Sequence, residues 1–251
     1  MGNANDNSNG NQHGTNDNTN GKYACNVVID LEFTPVPKDR QIGGLRQEII
    51  EVGAVKLASD GMVCGTFTHM VKPQLAHGVS GTVRAITGIN NRDLTCALPL
   101  AEVLEALAAW IGPGRVRMVT WSEHDLKQIS TECAAKGIVH RLPGRWLDIQ
   151  RLYPRLQGMS RRRRRVALGE AADWCGIEHD ENSAHRALYD ARMTAHVFRM
   201  MATGEFAEHR ARVKKELYRE QETCTSSIGA QCEGLVALLA ELRGQEGPQA
   251  A

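Results

Sequence analysis

The chain has 251 residues, 42% of them hydrophobic, with 30 Lys and Arg against 29 Asp and Glu for a formal charge of +1. That is enough apolar material for one core, and so even a charge balance says nothing about a polyanionic partner, so any basic surface must be local. No apolar run approaches membrane-spanning length, no Cys-x-x-Cys pair suggests structural zinc, and the start lacks a signal-peptide pattern; a soluble cytoplasmic protein with no membrane partner is expected. The seven cysteines, odd in number and widely spaced, read as reduced thiols, most of them small core residues.

Residues 1–21 are almost entirely Asn, Gly, Asp, Ser, Thr and Gln, a composition that buries nothing and predicts a disordered polar tail. Tyr23 to Glu32 reads as a strand. Glu48 to Leu57 and Met62 to Val71 read as two more, joined by the turn Ser59-Asp60-Gly61. A short helical piece is expected around Ser80 to Ile86. A clearer helix spans Leu98 to Ile111, with Val103, Leu104, Leu107 and Trp110 on one face and Gly112-Pro113-Gly114 as its stop. Val116 to Trp121 is a fourth strand, Glu123 to Lys136 a helix ended by Gly137, and Trp146 to Ile149 a short fifth strand. Helices over Leu168 to Cys175 and Ser183 to Met201 follow, the latter with Ser183 as N-cap. Further helices are expected over Phe206 to Arg219 and Leu235 to Leu242. Three strands in meander order followed by alternating helix and strand predict a mixed α/β sheet flanked by helices.

Three groups of residues carry chemistry. Asp30 and Glu32 stand two apart at the end of an apolar strand, so they share a face. Adjacent carboxylates repel unless a cation lies between them, which suits a hard metal with oxygen ligands; a strand end reaching solvent is the plainer alternative. Where the fourth strand passes into its helix, Glu123 and Asp125 compete for a ligand role, and an acid at a helix start is often only a cap. Finally, His185 and Asp190 open the last long helix. Five helical residues turn about 140° beyond one full turn, so the two do not share a helix face, and His185 would approach from the first turn.

The order Asp30-x-Glu32, Asp125, His185-x4-Asp190 resembles the exonuclease motifs of the DEDDh family of the ribonuclease H-like superfamily. Glu48-Ile49-Ile50-Glu51-Val52-Gly53-Ala54-Val55, Val71-Lys72-Pro73 and Ile86-Thr87-Gly88-Ile89 resemble that family's second strand, the end of its third and the following loop. The resemblance runs over roughly residues 24–202 and leans toward the enhanced-RNAi-type and KinA-pathway-inhibitor exonucleases. It implies a ribonuclease H-like mixed β-sheet flanked by helices, with an exonuclease domain over 22–203 and a C-terminal helical extension over 204–251. It also implies a 3′→5′ exonuclease releasing nucleoside 5′-monophosphates. Asp30, Glu32, Asp125 and Asp190 would hold two divalent cations, Mg²⁺ or Mn²⁺. His185 would be the general base, a tyrosine taking that position in related enzymes; Tyr189 does not have the spacing and is expected to pack. The backbone of Phe33 and Thr34 would contact the terminal nucleotide.

Arg141, Arg145, Arg151, Arg155 and the run Arg161, Arg162, Arg163, Arg164 and Arg165 are interrupted by one acid, Asp148. The run reads as phosphate-neutralising or as a solvated surface. Trp146 and Tyr153 within the segment read as core residues before base-stacking ones. The expected partner is single-stranded or 3′-overhang nucleic acid, RNA ahead of DNA. The rivals are a proofreading-type DNA exonuclease and an inactive binding module on the same fold, the latter disfavoured because all five site residues are present.

Overall fold

In a computed structural model the described residues are 23–156, 165–180 and 183–203, with positions 205, 208 and 211 beyond them. The tail 1–21, Arg161 to Arg164 and, apart from those three positions, the extension 204–251 with its two expected helices lie outside the described residues.

Five strands form one sheet: β1 (Cys25–Pro35), β2 (Gln47–Ala58), β3 (Val63–Met70), β4 (Val116–Thr120) and β5 (Trp146–Asp148). The order is β3-β2-β1-β4-β5, with β1 antiparallel to β2, β2 antiparallel to β3, and the pairs β1–β4 and β4–β5 parallel. The expected mixed sheet is therefore present. β1 is central and covered on both faces, and for that reason Val27, Val28 and Ile29 form a continuous apolar run rather than an alternating one, with Leu31 buried beyond Asp30.

Among the described residues six α-helices join the sheet: α1 (Gly81–Thr87), α2 (Leu100–Ile111), α3 (His124–Lys136), α4 (Tyr153–Leu156), α5 (Leu168–Trp174) and α6 (Ala187–Thr203). Val103, Leu104 and Leu107 of α2 and Ile129 of α3 pack with Val27, Ile29 and Leu31 on one face of the sheet. Ala171 of α5 and Ala191, Ala195 and Phe198 of α6 pack with Val28, Val55 and Val119 on the other. Gly137, at φ 64, closes α3 in the left-handed region where a side chain is costly.

Several expectations are corrected. The second helix starts at Leu100, not Leu98, because Pro99 keeps its predecessor out of the helical region. The last helix starts at Ala187, and Ser183 is not its cap: the Ser183 hydroxyl donates to Asp180 Oδ2 at 2.7 Å. The short α4 is an addition to the expected elements; it places Tyr153 fully buried beneath Trp121, which bears out a core role for that tyrosine. Of the five described cysteines Cys133 and Cys175 are buried and Cys25 packs partly buried against the core, while Cys64 and Cys96 are exposed and stand outside it.

α6 crosses β1 and β2 at close range. A Cβ on Gly53 of β2 would stand 2.1 Å from the Leu188 nitrogen and 2.2 Å from the Ala187 carbonyl carbon. Only glycine lets the start of α6 lie on the strand there, and Gly53 is paired across the sheet with Asp30.

Candidate active site

Asp30 and Glu32 leave β1 on the face that α6 covers, and just beyond Glu32 the β1–β2 ladder slips: Glu32 opposes Glu51 while Phe33 opposes Ile49. Such a bulge turns the chain end and re-aims its side chains. The start of α6 arrives over this point. One ligand atom each from Glu32, His185 and Asp190 fall within 4.8 Å of one another. The five-residue spacing that separates His185 and Asp190 on an ideal helix does not keep them apart, because His185 precedes the helix. Its backbone sits at φ 63, the only non-glycine residue with positive φ among the described residues, and its N–H donates to Asp190 Oδ2 at 3.2 Å. A histidine held there is strained by about 1–2 kcal/mol, which the surrounding contacts must offset.

Burial and neighbours decide between Glu123 and Asp125. Asp125 is 6% exposed, with the backbone N–H of Leu31 beside its carboxyl. Glu123 faces solvent, at 2.8 Å from Lys127, 3.1 Å from Arg165 and 3.8 Å from Arg151. The hydrogen bonds from Lys127 and Arg165 hold its carboxyl below the usual range. Asp125 therefore belongs to the acidic cluster, and Glu123 ties down one end of the arginine run. Arg165 is the single member of Arg161 to Arg165 among the described residues.

The cluster is electrostatically incomplete as protein alone. Burial first, then the charges of Asp125, Asp190, Glu32 and Glu51, push the Asp30 carboxyl well above its ordinary range. Burial, then the charges of Asp190, Glu51 and Asp125, raises Glu32 to about 8; burial, with the charges of Asp148 and Asp190 against the pull of backbone N–H groups, raises Asp125 to about 7. Burial also raises Asp190, against the opposing pull of His185. Buried carboxylates that repel one another, with little cationic compensation, are a donor set that fits hard divalent cations. Asp148 of β5 adds a further acid beside Asp125; one of its oxygens accepts from Arg151 N, and the other is buried without a hydrogen-bond partner.

A stability slope follows from these raised values. Above the ordinary carboxylate range the unfolded chain releases protons that the folded cluster still holds, so the folded state is progressively disfavoured until its own groups ionise. Without cations, the melting temperature should fall by several degrees between about pH 5 and about pH 8. Scanning calorimetry in chelator checks this. The slope should flatten in Asp30→Asn and on adding Mn²⁺; an equal slope in parent and variant would show that Asp30 titrates in the folded chain as it does in the unfolded one.

Phe33, next after Glu32 in β1, is partly buried and packs against the core on the α2 and α3 face. Thr34 is fully buried, and its hydroxyl donates to Gly78 O at 2.9 Å and accepts from Ser80 N at 3.3 Å. What remains to meet a ligand at Thr34 is its backbone. Tyr189 is half-buried, and its hydroxyl accepts from Asp180 N at 2.6 Å, anchoring the loop before α6.

Sequence reasoning gives Glu51 and Arg186 no role, yet both border the cluster. Glu51, 1% exposed, accepts from Arg186 Nε at 3.1 Å, from Arg186 at a second nitrogen at 2.8 Å, and from Ala187 N at 3.0 Å. The signal that could have found it is an acid in the middle of an apolar central strand, which needs a partner.

Residues 27–198 match the exonuclease family RNase_T. Among curated proteins, the chain is 29% identical to the DNA polymerase III subunit epsilon of Aquifex aeolicus, over 68% of this chain and 77% of that one. It is 23% identical to the probable 3′-5′ exonuclease KapD of Bacillus subtilis, over 70% and 83%. ERI1 exoribonuclease 2 of Homo sapiens is 28% identical over 67% of this chain, but this spans only 27% of that protein. Among solved structures, the nuclease domain of 3′hExo, a DEDDh family member bound to rAMP, superposes with TM-score 0.62 at 21% identity, covering 72% of this chain and 92% of that one. The fold is that of the ribonuclease H-like exonuclease domains.

Proposed function

Because this chain belongs to the exonuclease family, we propose that it is a 3′→5′ exonuclease that uses two divalent cations and releases nucleoside 5′-monophosphates, with RNA as the favoured substrate. The observation that carries this reading is the convergence of Glu32, His185 and Asp190 within 4.8 Å at the end of β1, beside Asp30. Asp30, Glu32, Asp125 and Asp190 are the residues that hold Mg²⁺ or Mn²⁺. When bound, such cations favour ionisation of the attacking water and stabilise charge on the leaving 3′-oxygen. His185 takes the proton of that water. As the water oxygen bonds to phosphorus, the phosphorus–O3′ bond breaks; the departing O3′ takes a proton from solvent, leaving a 3′-hydroxyl on the shortened strand and a 5′-monophosphate on the departing nucleoside. His185 is exposed, so an imidazole there can both reach the water and pass the proton to solvent. The backbone of Phe33 and Thr34, which follow Glu32 in β1, positions the terminal nucleotide.

Likeness to an exoribonuclease supports RNA, and with likeness to KapD it supports the enhanced-RNAi-type and KinA-pathway-inhibitor subgroup, while likeness to a polymerase epsilon subunit supports a second reading, DNA proofreading. A time course on matched RNA and DNA strands with 3′ overhangs, in Mg²⁺ and in Mn²⁺, decides between them. Faster shortening of RNA is expected; equal or faster shortening of DNA assigns the chain to the proofreading kind. Among the described residues no helix is long and apolar enough to cross a membrane.

The arginine run enters through phosphate. Arg165 and Arg151, both paired with Glu123 two residues before Asp125, bring the described end of the basic segment to the site's border. Replacing Arg161 to Arg165 by Gln should weaken binding to all sequences alike and reduce the salt slope by about 0.7 for each phosphate no longer neutralised. Turnover at saturating substrate should hardly change. Fluorescence anisotropy at several salt concentrations measures both; an unaltered dissociation constant and slope would make the run plain solvated surface.

A further inference from the structure

We propose that Glu51 is a positioning residue: it fixes the start of α6 so that His185 and Asp190 meet Glu32, and thereby sets the affinity of the acidic cluster for divalent cations. This rests on the reading of the cluster as a cation site. The backbone N–H groups of a helix's first turn have no partner within the helix. In α6 the Ala187 N–H is satisfied from the neighbouring strand, by Glu51 at 3.0 Å. The same carboxylate receives two nitrogens of Arg186, at 3.1 and 2.8 Å, a charge-assisted fork that fixes direction as well as distance. Residues 186 and 187 are thus clamped to β2 at the position facing Glu32 across the ladder.

The clamp lies between the two residues it would place. His185 immediately precedes it at φ 63, an uncommon conformation for a non-glycine residue, and Asp190, one turn later, accepts the His185 N–H. Gly53, two residues along β2, provides the clearance that lets Ala187 and Leu188 lie on the strand. A helix cap alone needs only a neutral acceptor. An anion at this spot adds to the repulsion felt by Asp30 and Glu32, so it weakens the cluster in the absence of cations. What it gains is the fork to Arg186, and with it a fixed approach of α6.

The test compares the full chain with Glu51→Gln, Glu51→Ala, Arg186→Ala and Asp190→Asn. Mn²⁺ binding is followed by electron paramagnetic resonance of the free ion, kcat and KM with a single-stranded RNA oligonucleotide, and folding by circular dichroism. Glu51→Gln keeps an acceptor for Ala187 N and loses the charged fork. It should bind Mn²⁺ roughly 10–100-fold more weakly, the usual cost of removing a group that orients ligands. Its kcat should fall with little change in KM and recover in part at high Mn²⁺. Glu51→Ala should show the same losses more strongly, and Arg186→Ala, which keeps the Ala187 bond, should show them more weakly. If Glu51→Gln and Arg186→Ala fold and bind Mn²⁺ with parental affinity and kcat, losing only melting temperature, Glu51 is a structural cap and the proposal is overturned. Asp190→Asn separates the two levels. An inactive Asp190→Asn beside a parental Glu51→Gln removes the positioning role alone, whereas a parental Asp190→Asn removes the cation site on which both depend.

Discussion

Asp190→Asn should abolish nuclease activity while leaving the protein folded and, without cations, more stable than the parent. Asn has the shape of Asp, and its amide oxygen can keep the 3.2 Å hydrogen bond from His185 N, so the local backbone is not disturbed. What is lost is a negative charge and a hard oxygen donor facing Glu32. Metal-assisted charge stabilisation contributes several kcal/mol, so the rate should drop by roughly 10³-fold or more. The stability gain has the opposite origin: burial and mutual repulsion already raise Asp30, Glu32 and Asp190 above their ordinary ranges, and removing one charge relieves the others. Asp30→Asn, at the most strongly raised position, should behave likewise. Turnover with Mg²⁺ and melting in chelator are measured on the same preparation. Residual activity within tenfold of the parent would remove Asp190 or Asp30 from the site.

The second large effect is at His185. Its loss should lower turnover by about 10²–10⁴-fold, the contribution of a positioned base, while Mn²⁺ binding stays close to parental because the four acids remain. Ala at φ 63 adds backbone strain of its own, whereas Asn tolerates the left-handed region, so His185→Asn is the cleaner variant and His185→Ala its check. Tyr189→Phe is the control. It removes one hydrogen bond, to Asp180 N, worth about 1 kcal/mol, and should turn over nearly as the parent does. The reverse pattern, an active His185→Asn and an inactive Tyr189→Phe, would move the base role to Tyr189.

Local information in the chain located the acids, and non-local packing arranged them. The shared face of Asp30 and Glu32 was legible because strand side chains alternate, and the apolar run around them marked a central strand. The residues alone left Glu123 and Asp125 open and the resemblance named Asp125; a physical reason for that choice is its burial, which depends on how α3 lies against β1. The start of α6 could not be read at all. Ser183 has the right chemistry for a cap, but the cap that operates is Glu51, 136 residues away in sequence, and it begins the helix four residues later. That shift is what frees His185 from the helix and lets it meet Glu32. Gly53 was legible as a family-like residue and not as the clearance that α6 requires, since a strand glycine carries no sign of what approaches it.

The most direct measurement follows a single-stranded RNA labelled at its 5′ end, run beside the same strand blocked at its 3′ end, with Mg²⁺ or Mn²⁺ and with chelator. Expected is a ladder that shortens one nucleotide at a time from the 3′ end of the unblocked strand, with nucleoside 5′-monophosphates accumulating and all activity lost in chelator. Equal degradation of the blocked strand, or shortening that persists in chelator, would contradict a metal-dependent 3′→5′ exonuclease at the end of β1.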